Sequence, residues 1–215
     1  GGGWDVENYS KLELIIDAQT GEILLEKNLI LHVDGNVSGN ATESSGADVC
    51  DPESAIGMPY AKVTMGSTTA YADANGDFTI AGTGTITSTL DGTWFDSQNQ
   101  SGSDASLSQN ASDPYFMHSE ANNNEQYRAQ VNGYLHANVV RDFALSFAPA
   151  FPTIATQTSF PVKTGVSGTC NAFYDYSSIN FYNAGGGCSN TAFSVIVHHE
   201  YGHHMVAVAG SGQGQ

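Results

Sequence analysis

The stretch of sequence that decides the fold is AFSVIVHHEYGHHMVAVA, residues 192–209. Apolar residues recur there at steps of three and four, a period that predicts an amphipathic helix. We expect this helix to begin at a capping residue within Ser189–Thr191 and to run to about Ala209, with Gly210 as its stop. The face predicted to be buried consists of Ala192, Val195, Ile196, His199, His203 and Val206.

The predicted helix contains HEYGH, residues 199–203, which has the pattern H-E-x-x-H. Residues four apart lie on one face of a helix, so the imidazoles of His199 and His203 can bind one Zn²⁺ ion, with the carboxylate of Glu200 beside it. Both histidines fall on the predicted apolar face, so we expect them to point into the protein, where a metal would satisfy their nitrogens. The pattern therefore predicts two metal ligands and a catalytic carboxylate.

A second interpretation of this helix is a histidine-rich surface that binds no metal. His198 and His204 flank the motif and favour that interpretation. They lie off the predicted apolar face, so we expect neither of them to be a ligand.

The residues that lead into this helix predict a mixture of helix and strand. A helix is predicted over Glu125–Phe147, where apolar residues again recur at steps of three and four until prolines follow. Strands are predicted at Phe160–Val166 and Ile179–Tyr182, with a short segment at Asn171–Tyr174 between them. Three glycines, Gly185–Gly187, break the chain before the last helix.

The N-terminal half consists of short strands separated by turns. Leu12–Val33 is predicted to form a β-hairpin around a turn at Ala18–Glu22. Further strands between Gly35 and Phe95 suggest a small antiparallel β-sandwich. These predicted strands cover Ala61–Met65, Thr68–Tyr71, Phe78–Ile80 and Thr85–Thr87.

The turn DANGD, residues 73–77, has two interpretations. Asp73, Asn75 and Asp77 alternate as oxygen ligands do in calcium-binding loops, so the turn could hold Ca²⁺. It lacks the distal Glu of the full calcium motif, and Asn-Gly is also the strongest short turn signal. A plain turn is therefore the alternative.

The predicted fold class is α+β, divided into four regions. A β-hairpin tail occupies residues 1–34, a β-sandwich 35–96, a polar linker 97–124, and a mixed α/β unit 125–215. The linker is predicted because that stretch is rich in Ser, Asn, Gln and Asp and has few apolar residues to anchor it.

Charge and hydropathy exclude two classes of partner. The sequence has 6 Lys and Arg residues and 22 Asp and Glu residues, which gives a net charge of −16. The cationic residues are scattered singly along the chain. Nucleic acids and anionic membrane surfaces are therefore disfavoured partners. No apolar run approaches the roughly 18 residues that cross a bilayer, so we expect no membrane association.

Three cysteines suit an oxidising compartment with one disulfide and one remaining thiol. Cys170 and Cys188 are the predicted pair, because both flank Gly- and Ser-rich turns within one unit. The alternative is that all three cysteines are buried free thiols.

The order of elements from Glu125 to His204 resembles the N-terminal half of the catalytic domain of gluzincin metalloproteases, the thermolysin-like and fungalysin-like peptidases. HEYGH is similar to the fungalysin-like form of the motif in particular. The resemblance implies zinc at His199 and His203 and a general base at Glu200. It also implies that Asn171 and Ala172 lie on an edge strand that pairs with an extended peptide substrate. For the last two residues, an ordinary turn into a strand is the alternative.

The N-terminal regions carry resemblances of their own. Leu12–Val33 resembles the tail of a PepSY-type propeptide, and Gly35–Phe95 resembles a carboxypeptidase-regulatory-like sandwich. The first resemblance implies a zymogen in which the hairpin belongs to a prosegment.

The sequence departs from the gluzincin pattern at the third zinc ligand, which that family takes from a Glu downstream of H-E-x-x-H. Met205–Gln215 contains no Asp, Glu, His or Cys, whereas a catalytic zinc site needs three protein ligands. We expect the third ligand from an upstream carboxylate or from a C-terminal half supplied as another chain or a continuation.

The implied function is that of a secreted zinc endopeptidase that hydrolyses peptide bonds with a zinc-activated water. Its partners would be a peptide or protein substrate and its own C-terminal half. The alternative function is a non-catalytic extracellular structural or adhesive protein that retains the zinc helix for packing.

Overall fold

The computed structural model describes residues 12–29, 31–42, 53–110 and 112–210. These residues form a mixed α+β fold made mostly of strands, which confirms the predicted fold class at that level. The strands are β1 Leu12–Ile16, β2 Ile23–Asn28, β3 His32–Ala41, β4 Ser54–Gly57, β5 Lys62–Met65, β6 Thr68–Tyr71, β7 Asp77–Ala81, β8 Ile86–Thr89, β9 Phe95–Asn99, β10 Ser106–Gln109 and β11 Tyr115–His118. Helix α1 Glu125–Phe147, strands β12 Phe160–Val166, β13 Ala172–Tyr174 and β14 Ile179–Tyr182, and helix α2 Ser194–Val208 complete the order.

The first two strands form the predicted hairpin. β1 and β2 pair antiparallel, and the Asp17 carboxylate closes their turn by accepting the N–H groups of Gln19 at 2.7 Å and Thr20 at 2.9 Å. In the described part of the chain this two-stranded sheet pairs with no other strand. Its leucines and isoleucines are exposed on both faces.

The next strands form two four-stranded sheets that face each other as a sandwich. One sheet has the order β10-β8-β5-β6 and is antiparallel throughout. The other is built on the long strand β3, which pairs antiparallel with β4 and β7 and parallel with β11. Apolar side chains of both sheets are buried in the core, among them Val37, Val63, Phe78, Ile86 and Phe116.

The C-terminal residues form a third sheet with the order β13-β14-β12-β9. β12 pairs parallel with both β14 and β9, whereas β13 pairs antiparallel with β14 and lies at the edge. Helix α1 packs on β12, β9 and β3, and helix α2 packs on α1, β13 and β14. This arrangement places the H-E-x-x-H helix beside the β13 edge.

The stretch predicted as a polar linker, residues 97–124, is built into the sheets. It holds the end of β9, which pairs with β12, and the whole of β10 and β11, which pair with β8 and β3. Phe116 is fully buried, and the amide of Ala105 donates to Gln130 Oε1 of α1 at 2.7 Å. Strands of four residues are too short to carry a clear periodic signal, and β10 and the end of β9 are mostly polar, which is why the sequence does not reveal them.

Helix α1 begins at Glu125 and ends at Phe147, as the sequence predicts. The side chain of Asn124 caps it by accepting the N–H of Tyr127 at 3.1 Å. The described residues include no helix with the length and hydropathy that a membrane crossing requires.

Candidate metal centre

Helix α2 begins later than its capping signals suggest. It starts at Ser194, and Phe193 occupies the N-cap position without a side-chain hydrogen bond, so the prediction of a cap within Ser189–Thr191 is wrong. The hydroxyl of Thr191 instead donates to the carbonyl of Asn171 at 3.0 Å and accepts the N–H of Tyr182 at 2.9 Å. Thr191 is therefore engaged in holding the loop to the sheet.

The face of α2 that is buried differs from the predicted one. The buried residues are Ser194, Val197, Glu200, Tyr201 and His204. Val195 is 46% exposed and Val206 39% exposed, while His199 is exposed and His203 half-buried. The expectation that the two motif histidines point into the protein is therefore wrong. Apolar residues occur on nearly every side of this helix, so their period does not select one face.

The two motif histidines converge on this open face. Their Nε2 atoms lie 3.1 Å apart, and their rings are nearly perpendicular with centroids 4.7 Å apart. Two nitrogens that each bind one tetrahedral zinc ion at about 2.1 Å are separated by roughly 3.3 Å. The side chains of His199 and His203 therefore fit zinc as two ligands of one ion.

Glu200 lies between the two histidines in sequence but faces the interior, with 6% of its surface exposed. Burial raises the pKa of its carboxyl group, because the charged form loses hydration. The imidazoles of His199 and His203 and the backbone N–H of Tyr174 act in the opposite direction. The carboxylate is thus held between the candidate metal ligands and the edge strand β13.

His204 is a core residue with 2% of its surface exposed, so the prediction that it lies off the buried face of α2 is wrong. Its Nδ1 lies 3.0 Å from the hydroxyl of Tyr174 and its Nε2 lies 2.7 Å from Oε1 of Gln157. Its ring stacks on Phe160 with centroids 4.4 Å apart. Burial lowers the pKa of His204 to about 4, which keeps the imidazole neutral.

His198 is half-buried, and its ring contacts the ring of His136 with centroids 5.6 Å apart. Burial lowers its pKa. Within the described residues its Nε2 has no hydrogen-bond partner.

The structure places Ala172 on the edge strand β13 and Asn171 immediately before it, exposed to solvent. Ala172 pairs with Phe181 of β14, and in the described ranges the other side of β13 has no strand partner. The backbone groups on that side can therefore pair with an added extended peptide.

Cys170 and Cys188 form a disulfide, as the sequence predicts. The bond joins the residue before Asn171 to the glycine-rich turn that precedes α2. Gly185 and Cys188 close this turn by exchanging backbone hydrogen bonds of 3.0 Å.

The turn at residues 73–77 uses its own side chains to hold its shape. Oδ1 of Asp73 accepts the N–H groups of Asn75 at 2.7 Å and Asp77 at 3.0 Å. Oδ1 of Asp77 accepts from the amide of Asn36 at 2.7 Å. These contacts are those of a plain turn, and the calcium site stays a prediction.

Across the described residues no three side chains of His, Cys, Asp or Glu are grouped so that they could hold a metal together. His199 and His203 could supply two ligands, and the upstream carboxylate considered as the third is not found among these residues.

The supports of the motif helix were not foreseen from the sequence. Tyr174, Gln157 and Phe160 all contact His204, and they lie far from it in the chain. The signal that could have found the buried face is the spacing of Val197, Tyr201 and His204, which follow one another at four and three residues.

Comparison of the chain with models of known protein families gives no match, and comparison with curated proteins gives none either.

Proposed function

We propose that this chain carries part of the active site of a secreted zinc-dependent endopeptidase. The observation that carries the proposal is the 3.1 Å approach of the Nε2 atoms of His199 and His203, on an open helix face beside the edge strand β13. Two neutral imidazoles can also reach this distance when the N–H of one donates to the other, so the proposal stands on the pair together with its place beside β13.

In this proposal His199 and His203 hold zinc through Nε2, and a third ligand comes from outside the described residues. Zinc, when bound, would act as a Lewis acid that polarises the scissile carbonyl and activates a water molecule. In this proposal the α/β region is the N-terminal half of a zincin-type domain, and the sandwich and a hairpin from a prosegment precede it.

Glu200 acts as the general base in this proposal. Its burial raises the pKa of the carboxyl group. In this role the carboxylate accepts a proton on one oxygen and later donates it to the leaving amine. The backbone N–H of Tyr174 orients the carboxylate between the histidines and β13.

The edge strand β13 binds the substrate backbone. On the side of β13 away from β14, main-chain groups other than the Tyr174 N–H, which lies at the Glu200 carboxylate, can pair with an extended peptide. The exposed Asn171 lies where that peptide would continue. This mode of binding recognises peptides chiefly through their main chain.

A second candidate function is a non-catalytic extracellular structural or adhesive protein. It is favoured by the exposure of His199 and by the absence, within the described residues, of a group of three metal ligands. In that case α2 serves only to pack against β13 and β14.

Zinc binding separates the two functions. We expect the chain to bind Zn²⁺ in competition with a chromophoric chelator, and we expect His199→Ala and His203→Ala each to weaken binding by at least about tenfold. His32→Ala is the matched control, because His32 is exposed on β3. Equal zinc affinity in all four proteins would reject the metal centre.

Hydrolysis tests the role of Glu200. In the natural full-length protein, Glu200→Gln should retain zinc and lose at least about a hundredfold in the rate of peptide hydrolysis, because the amide cannot accept the proton. Retained hydrolysis by this variant would overturn the assignment of the general base.

A further inference from the structure

We propose that the Cys170–Cys188 disulfide positions the edge strand β13 against helix α2, so that removing it impairs peptide binding before it impairs zinc binding. The inference rests on the proposed function, because β13 is the proposed peptide-binding strand and α2 carries the proposed ligands.

The disulfide lies at the N-terminal end of β13. Cys170 precedes Asn171 and Ala172 directly, and Cys188 lies six residues before the start of α2. The bond therefore connects the beginning of the edge strand to the loop that leads into the motif helix.

A hydrogen bond supports the same connection. The hydroxyl of Thr191 in this loop donates to the carbonyl of Asn171 at 3.0 Å. Thr191 thus holds the backbone at Asn171, and the disulfide holds the backbone one residue earlier, at Cys170.

The other end of β13 is held by α2 itself. The Tyr174 hydroxyl lies 3.0 Å from Nδ1 of His204, and the backbone N–H of Tyr174 lies at the Glu200 carboxylate. The strand is only three residues long, so the contacts at its two ends complement its pairing with β14. Losing the contacts at one end leaves a short edge strand that is paired on one side only.

The backbone around the disulfide has conformational freedom that the cross-link restricts. Cys170 has a φ of +60°, and the turn that contains Cys188 includes Gly185 at +151°, Gly186 at +60° and Gly187 at +86°. Glycine turns have many accessible conformations when they are not cross-linked. The disulfide selects the conformation in which Asn171 and Ala172 lie along β14.

Amide hydrogen exchange of the present chain tests the positioning role without requiring activity. In Cys170→Ser/Cys188→Ser we expect the amides of residues 171–174 to exchange at least about tenfold faster, while those of the core of α1 change less than about twofold. Zinc affinity of the same variant should stay within about twofold of the parent value, because neither ligand has moved.

Thr191→Val provides a second variant that removes the hydroxyl and keeps the shape of the side chain. It should accelerate exchange in the same residues to a smaller degree, so the test survives if the cysteine variant fails to fold. Unchanged exchange at residues 171–174 in both variants would overturn the proposal, as would an equal acceleration throughout α1.

The kinetics of peptide hydrolysis test the functional consequence, measured on the natural full-length protein with fluorescein-labelled casein as the substrate. The cysteine variant should raise KM by at least about fivefold and change kcat by less than about twofold, since peptide capture is weakened and the ligands are intact. A loss of kcat alone would contradict the positioning role. If neither protein binds zinc, the proposed function fails, and the exchange result still decides whether the disulfide holds the strand.

Discussion

His118 is a fully buried side chain at which three elements meet. It lies on β11, its Nε2 is 3.0 Å from the hydroxyl of Ser88 on β8, and its Nδ1 is 2.8 Å from the hydroxyl of Tyr127 on α1. Both ring nitrogens thus have partners while the imidazole is neutral. Burial lowers the pKa of His118 to about 4, and no carboxylate contributes to its shift.

This pKa predicts a dependence of stability on pH. Between about pH 6.5 and pH 4 the unfolded chain binds a proton at His118 that the folded protein does not bind, so the free energy of unfolding falls as the pH falls. The contribution amounts to about 3 kcal/mol over the whole interval. This contribution to stability is fully present above the pKa of His118 in the unfolded chain and is lost as the pH falls to its pKa in the folded protein.

Urea unfolding across this pH range checks the prediction. His118→Gln cannot take up the proton, so the loss of stability on acidification should be smaller in this variant by about 3 kcal/mol. His32→Gln on the protein surface is the control and should follow the parent. A parent-like pH dependence in His118→Gln would contradict the prediction.

The motif helix shows where sequence reasoning succeeds for an element and where it fails. The bounds of α1, β12 and β14 agree with the predictions, because proline and glycine punctuate clear periodic segments. The orientation of α2 does not agree, since Glu200 and His204 are polar residues that become buried with partners distant in sequence. Periodicity assigns polar residues to the surface and cannot anticipate such partners.

The N-terminus of α1 allows an element-scale prediction. Asn124 accepts the N–H of Tyr127, so Asn124→Ala leaves a backbone donor without its cap and should lower the free energy of unfolding by about 1 kcal/mol. Asn123→Ala is the matched control, because Asn123 is an equally exposed neighbour outside the cap position. Chemical denaturation of both variants measures the difference, and equal losses would show that the cap contributes nothing.

At the scale of the whole molecule, the sandwich and the α/β half are interlocked. The Asn132 side chain of α1 accepts the N–H of Thr42 at 2.9 Å, and Nε2 of His136 lies 2.6 Å from the carbonyl oxygen of Thr42. Tyr60 of the sandwich donates its hydroxyl to Asp142 of α1 at 2.8 Å. Strand β9 belongs to the third sheet, and the chain that follows it forms β10, which belongs to the sandwich.

The interlocking predicts that the C-terminal region is not an independent folding unit. A fragment of residues 125–215 lacks β9, the partner of β12, and exposes the face of α1 that packs on β3. We expect it to show no cooperative thermal transition by circular dichroism, whereas the chain of 215 residues should unfold in a single transition. A cooperative transition of the fragment would instead support the predicted domain boundary at residue 125.

The parallel pairing of β3 with β11 also affects how the protein forms on the ribosome. Roughly eighty residues separate Asn36 from its partner Tyr115. At about 5–20 residues per second, β11 is synthesised between about 4 and 16 s after β3. During this interval β3, the central strand of its sheet, lacks the neighbour on that side, and an unpaired strand edge in a nascent chain is prone to aggregation.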